Sequence, residues 1–224
     1  ASPYTFSWDT TTVANGTCTI TAKAYDAANN VGQSSAVTVT INNPIVVPSS
    51  YTIWTSTTVP ANPADSDNKA IEVGVKFRSD SNGFINGIRF YKASTNTGTH
   101  VGNLWTSTGT LLATATFTNE TASGWQQVNF STPVAITANT VYVASYHTNA
   151  GHYSDDQNYF AGTGVDSPPL HALADGVSGF NGAYAYGSAS SFPNQSWNSS
   201  NYWVDVVFAL TSPLNNDTTA PTVS

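Results

Sequence analysis

Three groups of side chains in this sequence have types and spacings suited to chemistry. The first is acidic. Asp65-Ser-Asp67-Asn68 gathers oxygen donors on one short segment just before Glu72, and Asp205 stands near the far end of the same region. Hard oxygen ligands of this kind suit calcium, so a structural calcium held by Asp65, Asp67, Glu72 and Asp205 is expected. The plainer alternatives are a solvated turn for Asp65 and Asp67 and an ion pair with Arg89 for Asp205. The second group is His147 and His152, with Tyr153, Asp155 and Asp156 following. Imidazoles and carboxylates ligate zinc or copper, but this spacing fits no well-defined metal motif, and polar-loop hydrogen bonding or stacking on a ligand is the preferred reading. The third group is aromatic. Sugar rings present apolar CH faces that stack on flat side chains, while Asn, Gln, His and Asp take the hydroxyls. On that ground Trp105, His147, His152, Tyr153, Trp197 and Tyr202 are the candidate ligand contacts. The competing reading is core packing, because a β-sandwich of this size needs large interior residues.

Catalysis finds little support. A glycosidase usually needs two carboxylates flanking one bond, and neither Glu72 nor Glu120 has an obvious partner. Asp155 and Asp156 are adjacent, and neighbours on an extended chain point apart. G-x-S-x-G, H-E-x-x-H and Gly-rich phosphate loops are all missing. The expectation is a protein that is not an enzyme.

Charge narrows the partners. Only 8% of the 224 residues are charged and the net charge is −7. All six cations, Lys23, Lys69, Lys76, Arg78, Arg89 and Lys92, lie in the first 92 positions. A chain with no Lys or Arg from Ala93 onward cannot build a phosphate-binding footprint there, which argues against nucleic acid and anionic membrane surfaces. No apolar run is long enough to insert in a membrane as a helix. The Ser/Thr/Asn-rich, Lys-poor composition suits an extracellular, secreted or cell-surface setting. The single Cys18 alternates with Ile20, Ala22 and Ala24 and is expected to be buried as a small hydrophobe.

The elements that must position these residues are strands. Few Leu, Glu and Lys and many Thr, Tyr, Trp and Phe make poor helix and good strand material. Residues 71–78 alternate cleanly: Ile71, Val73, Val75 and Phe77 on one face, Glu72, Lys76 and Arg78 on the other, outward, face. Similar segments follow at 87–92, 101–106, 111–118, 125–130, 141–147 and 202–210, separated by turn chemistry such as Ser81-Asn-Gly83 and Asn96-Thr-Gly98. Seven such strands predict an all-β antiparallel sandwich, a jelly roll, over residues 51–211. Residues 149–201, rich in Gly, Ser, Asn and aromatics, interrupt the pattern; a loop of that length is expected to be functional.

Residues 1–43 read as three strands at 4–8, 17–25 and 35–41. The run Tyr4-Thr-Phe-Ser-Trp8-Asp9, then Asn15-Gly-Thr17, then Ala22-Lys-Ala-Tyr25-Asp26 resembles the second half of a bacterial immunoglobulin-like repeat. Residues 44–50 form a Pro-stiffened linker. Asp217-Thr-Thr-Ala-Pro221 in the segment 212–224 resembles the opening strand of another such repeat. Three strands cannot close a sandwich, so the flanks are expected to be cut pieces of neighbouring immunoglobulin-like domains in a longer chain.

The central region carries a resemblance of its own. Glu72-x-Gly74-x-Lys76-Phe77-Arg78, Gly87-Ile-Arg-Phe-Tyr-Lys92, Gly98-Thr-His100-x-Gly102-x-Leu104-Trp105, Gly124-Trp125-Gln126 and Asn201-Tyr-Trp-Val-Asp205-Val come in that order. The set, spanning residues 54–210, is similar to a bacterial secreted domain family catalogued only as a domain of unknown function. That family occurs beside immunoglobulin-like repeats and carbohydrate-active modules, which implies a binding or spacer role by association. Sequence and resemblance together give a non-catalytic extracellular module that binds carbohydrate or a cell-surface polysaccharide. The alternatives are an adhesive spacer of a multidomain surface protein or fibre and, third, a glycan-active or metal-dependent enzyme.

Overall fold

The computed structural model describes residues 5–10, 13–43 and 50–212. The chain divides into two compact units between residues 47 and 48. The proposed linker (apart from Ser50) and the C-terminal segment beyond Ser212 lie outside the described residues.

The N-terminal unit holds β1 (Gly16–Ile20), β2 (Lys23–Tyr25), β3 (Val31–Gln33) and β4 (Val37–Ile41). β1 pairs with β4 and β2 with β3, giving two separate antiparallel ribbons. The 26–30 turn is set by Asp26, whose Oδ1 accepts from the N–H groups of Ala28 and Asn30. Of the strand expected at 4–8, the described residues 5–8 form none. The chain is anchored just beyond, where Thr10 donates to the Asn43 side chain and Asn15 accepts from the Asn43 N–H. Most side chains of these ribbons are exposed, and Cys18 is half-buried rather than buried. A two-stranded ribbon with no facing sheet has nothing to bury its apolar side chains against.

The second unit carries the seven alternating strands where the sequence placed them. They are β5 (Ile71–Ser79), β6 (Gly83–Lys92), β7 (His100–Thr106), β8 (Leu111–Thr116), β9 (Gly124–Ile136) and β10 (Tyr142–Thr148), with the last closing the domain after an insertion. That insertion holds β11 (Val165–Ser167), β12 (Leu170–Ala172), β13 (Ala183–Tyr186) and β14 (Gln195–Ser196), and β15 (Val204–Ala209) follows. The strands pair antiparallel, and no α-helix occurs among the described residues.

Strand order identifies the sandwich type. One sheet contains β5-β10-β7-β8, and the other runs β15-β6-β9. Tyr51 extends the second sheet by bridging Phe208 through two backbone hydrogen bonds of 2.8 and 2.9 Å. The resulting pair of four-membered orders, 5-10-7-8 against 51-15-6-9, is the alternation of a jelly roll, with its first strand reduced to a single bridge. The inner faces meet in a core of Ile71, Val73, Val75 and Phe77 from β5, Ile85, Ile88 and Phe90 from β6, and Val204, Val206 and Phe208 from β15. Phe90 stacks on Tyr146 across the two sheets at 4.0 Å between centroids. Where the backbones run closest, side chains are excluded: a Cβ on Gly87 would stand 2.0 Å from the Val128 carbonyl.

The insertion between β10 and β15 is built onto the free edge of β5. β12 pairs with residues 77–79 of that strand and β13 with residues 71–74. Asn181 fills the gap between them: its Oδ1 accepts from the Lys76 N–H at 2.7 Å, and its Nδ2 donates to the Lys76 and Leu173 carbonyls. The insertion then crosses the outer face of the sheet. β5 is therefore buried on both sides, and Glu72, expected to face outward into solvent, is fully buried.

Candidate functional site

A cavity of about 450 Å³ lies where the insertion meets the Asp65 loop. Its acidic wall is local in origin. Asp65 Oδ1 accepts from the Asp67 N–H at 2.7 Å and Asp67 Oδ1 from the Lys69 N–H at 3.0 Å, two successive Asx turns. Residues 151–153 pin this loop. The Asp65 N–H donates to the Tyr153 carbonyl, the His152 N–H to the Asp67 carbonyl and the His152 ring Nδ1 to the Asp65 carbonyl at 2.9 Å. Gly151 makes the approach possible. It adopts φ +65°, and a Cβ there would stand 2.3 Å from the Asp67 carbonyl oxygen.

The aromatic wall comes from the insertion. Tyr184 and Tyr186, two apart on β13, both line the cavity, as alternation on a strand requires. Tyr186 donates to Asp67 Oδ2 at 2.5 Å, and this hydrogen bond, ahead of burial, pushes its phenol up to about 12. Tyr153 packs edge-on against Tyr202 at 5.5 Å and also reaches Asp67 Oδ2. Both rings are nearly buried, at 8% and 4% exposure, and burial pushes both phenols up. Trp197 closes the rim at 58% exposure, carried on a turn whose next two residues, Asn198 and Ser199, take left-handed backbone angles.

Asp155 and Gln157 complete the lining. Asp155 is 5% exposed; burial raises its pKa, with hydrogen bonds from the Ser200 and Gln157 side chains pulling the other way. Its neighbour Asp156 turns away, accepting from the Ala61 and Asn62 N–H groups and from Trp203 Nε1. The two carboxylates diverge, as extended neighbours must.

The sequence candidates thus separate into two sets. Asp65, Asp67, Tyr153, Trp197 and Tyr202 share the cavity, and His152 supports its floor. Trp105 and His147 do not reach it. They lie on the outer face of the β5-β10-β7-β8 sheet beneath residues 187–193, where Trp105 meets Phe192 edge-on at 5.8 Å and donates to Ser145 Oγ at 2.7 Å. His147 Nε2 donates to the Gly187 carbonyl at 2.9 Å.

Glu72 is the centre of that covered cluster. Its Oε1 accepts from Ser145 and Asn103, and its Oε2 accepts from Ser190 at 2.6 Å. Burial raises its pKa, with these three hydrogen bonds pulling the other way. Asp205 sits on the opposite sheet, accepting from the backbone N–H groups of Ile53, Trp54 and Val206 and standing 3.7 Å from Arg89. Burial pushes its carboxyl up to about 6 against the attraction of Arg89. The structure therefore does not bring the four proposed calcium ligands together. Glu72 and Asp205 spend their oxygens on protein donors, and only Asp65 and Asp67 adjoin. Among the described residues, no three His, Cys, Asp or Glu side chains group to hold a metal ion.

Tyr184, Tyr186 and Gln157 line the cavity without having been sequence candidates, and Asp155, weighed in the sequence only beside the histidines as a metal ligand, lines it too. The Ala183-Tyr-Ala-Tyr186 alternation marked the two tyrosines as sharing a face, but the direction of that face follows from pairing with β5. The cavity offers flat aromatic surface, hydroxyls and carboxylate acceptors. A family model described as a domain of unknown function (DUF4082) matches residues 57–204, about two thirds of the chain. No curated protein matches it.

Proposed function

We propose that this chain, which belongs to the DUF4082 family of domains of unknown function, is a non-catalytic saccharide-binding module acting outside the cell, with the cavity beside Trp197 as its site. The observation that carries this reading is the pairing of an open Trp197 ring with a polar, tyrosine-lined recess. A largely exposed indole is poorly used in packing but is a ready platform for the apolar face of a sugar ring. Behind it, Asp65, Asp67, Asp155 and Gln157 stand as hydroxyl acceptors.

The test is retention on a panel of soluble glycans and insoluble polysaccharides, with calcium and with EDTA, followed by intrinsic Trp fluorescence. Selective binding with a fluorescence shift, lost in Trp197→Ala while the melting temperature holds, is the expected result. Loss in EDTA would bring a calcium ion into the site through Asp65 and Asp67. A folded protein that binds nothing across the panel would overturn the reading in favour of an adhesive or spacer module.

A further inference from the structure

The β11–β12 hairpin is the outermost part of the β5 sheet. Each of its strands is three residues long; β12 pairs with residues 77–79 of β5, and β11 pairs with β12 alone. Backbone pairing holds so short a ribbon poorly. Leu170 and Ala172 are buried in the core, so alternation puts His171 on the other face of the sheet. There its imidazole stands between two carboxylates. Nδ1 is 2.6 Å from Asp166 Oδ1 on β11, and Nε2 is 2.7 Å from Asp80 Oδ2 in the turn between β5 and β6. The His171 side chain is mostly covered, at 14% exposure, whereas Asp80 and Asp166 keep 46% and 82%.

A carboxylate oxygen only accepts, so each contact requires a hydrogen on the ring nitrogen concerned. A neutral imidazole has one N–H, and its other nitrogen would turn a lone pair onto an acid. The geometry is that of an imidazolium. The charged groups facing it are Asp166 from β11, Asp80 from the β5–β6 turn and Arg78, its register partner on β5, whose guanidinium donates to Asn139 Oδ1. Burial pulls the His171 pKa down, but its hydrogen bonds to Asp166 and Asp80 and their negative charge outweigh burial and hold it above the ordinary 6.5.

We propose that His171 is a proton-operated latch: charged, it fastens β11 and β12 to the β5–β6 turn through Asp166 and Asp80, and on losing its proton it gives up one of the two bonds and lets the hairpin loosen. His171 does not line the cavity beside Trp197, so the latch stands apart from the saccharide reading. The folded chain holds this proton more tightly than the unfolded chain. The fastening is therefore fully present below pH 6.5 and is lost as pH rises through the higher folded value.

The experiment has two readouts on the full chain. An NMR titration of the histidine rings, with His171 assigned by its absence in His171→Gln, is expected to give a His171 midpoint above 6.5 that falls in Asp80→Asn. Hydrogen exchange of the backbone amides of residues 165–172, corrected for intrinsic rates, is expected to lose about threefold in protection between about pH 5.5 and about pH 8.5, the scale of a solvent-screened ion pair. That loss should be absent in His171→Gln. Asp166→Asn, a change to a largely exposed side chain, serves if His171→Gln does not fold, and should lower the midpoint and flatten the loss. A His171 midpoint at or below the ordinary value overturns the imidazolium. A raised midpoint with pH-independent protection, or an equal loss in His171→Gln, overturns the latch.

Discussion

The two polar clusters on the β5 side of the sandwich are made of the same materials and arranged to opposite ends. Under residues 187–193, Glu72 meets Ser145, Asn103 and Ser190, Trp105 donates to Ser145, and His147 donates to Gly187. An acid, an indole, an imidazole and three small polar side chains are all hydrogen-bonded to one another or to the backbone. Around the cavity, Asp65, Asp67 and Gln157 border open space and Trp197 stands exposed. Residue type does not tell a structural network from a recognition site. Satisfaction does: a cluster that has met its own hydrogen-bonding capacity has nothing left for a ligand, and one that has not retains it.

The strongest challenge to that contrast is Glu72→Ala. It removes the acceptor of three donors and leaves the buried hydroxyl of Ser145 without its acceptor, while Asn103 keeps Ser190, so stability should fall by about 3 kcal/mol. Chemical denaturation checks this, and a loss below about 1 kcal/mol would mean that the covered network is not structural. Gly151→Ala should have a smaller effect on stability, about 1–3 kcal/mol, with a marked loss of binding, because its Cβ drives into the Asp67 carbonyl. Gly162→Ala is the control. It shares a left-handed φ, of +83°, but meets nothing within 4 Å, so it should be strained without disturbing the cavity. Equal binding losses in the two variants would detach the Asp65 loop from recognition.

The smallest effect is a slope. Burial raises the Glu72 pKa in the folded chain, so between its unfolded and folded values the folded state binds more protons than the unfolded state. Stability attributable to this group therefore falls as pH rises through that window and is recovered as pH falls. Relative to Glu72→Gln, which cannot titrate, the native chain should gain stability from about pH 7 toward the ordinary glutamate range. Denaturation of both proteins at the two ends of that range measures the difference. A difference that moves the other way would place the carboxyl in a solvated or cation-paired setting.

Much of the fold was legible. The period-two runs gave all seven sandwich strands, because alternation of apolar and polar residues is a local property of a strand facing a core. The connectivity supplied the jelly roll. Residues 5–8, within the strand expected at 4–8, were misread, since strand-like composition does not provide a partner. The cavity was half legible. Tyr153, Trp197 and Tyr202 were found by type, and Asp65 and Asp67 by spacing, but Glu72 and Asp205 were assigned to an ion that they do not approach together.

The sequence by itself determined that this chain makes strands, that residues 71–78 have two distinct faces, and that no Lys or Arg follows Lys92. Those properties are written in side-chain order and composition. Tertiary structure alone decided what covers each face. The path of residues 149–203 along the β5 edge buries Glu72 and brings the Tyr186 hydroxyl onto Asp67. Hydrogen-bond satisfaction depends on partners tens of residues away, and no local pattern records it.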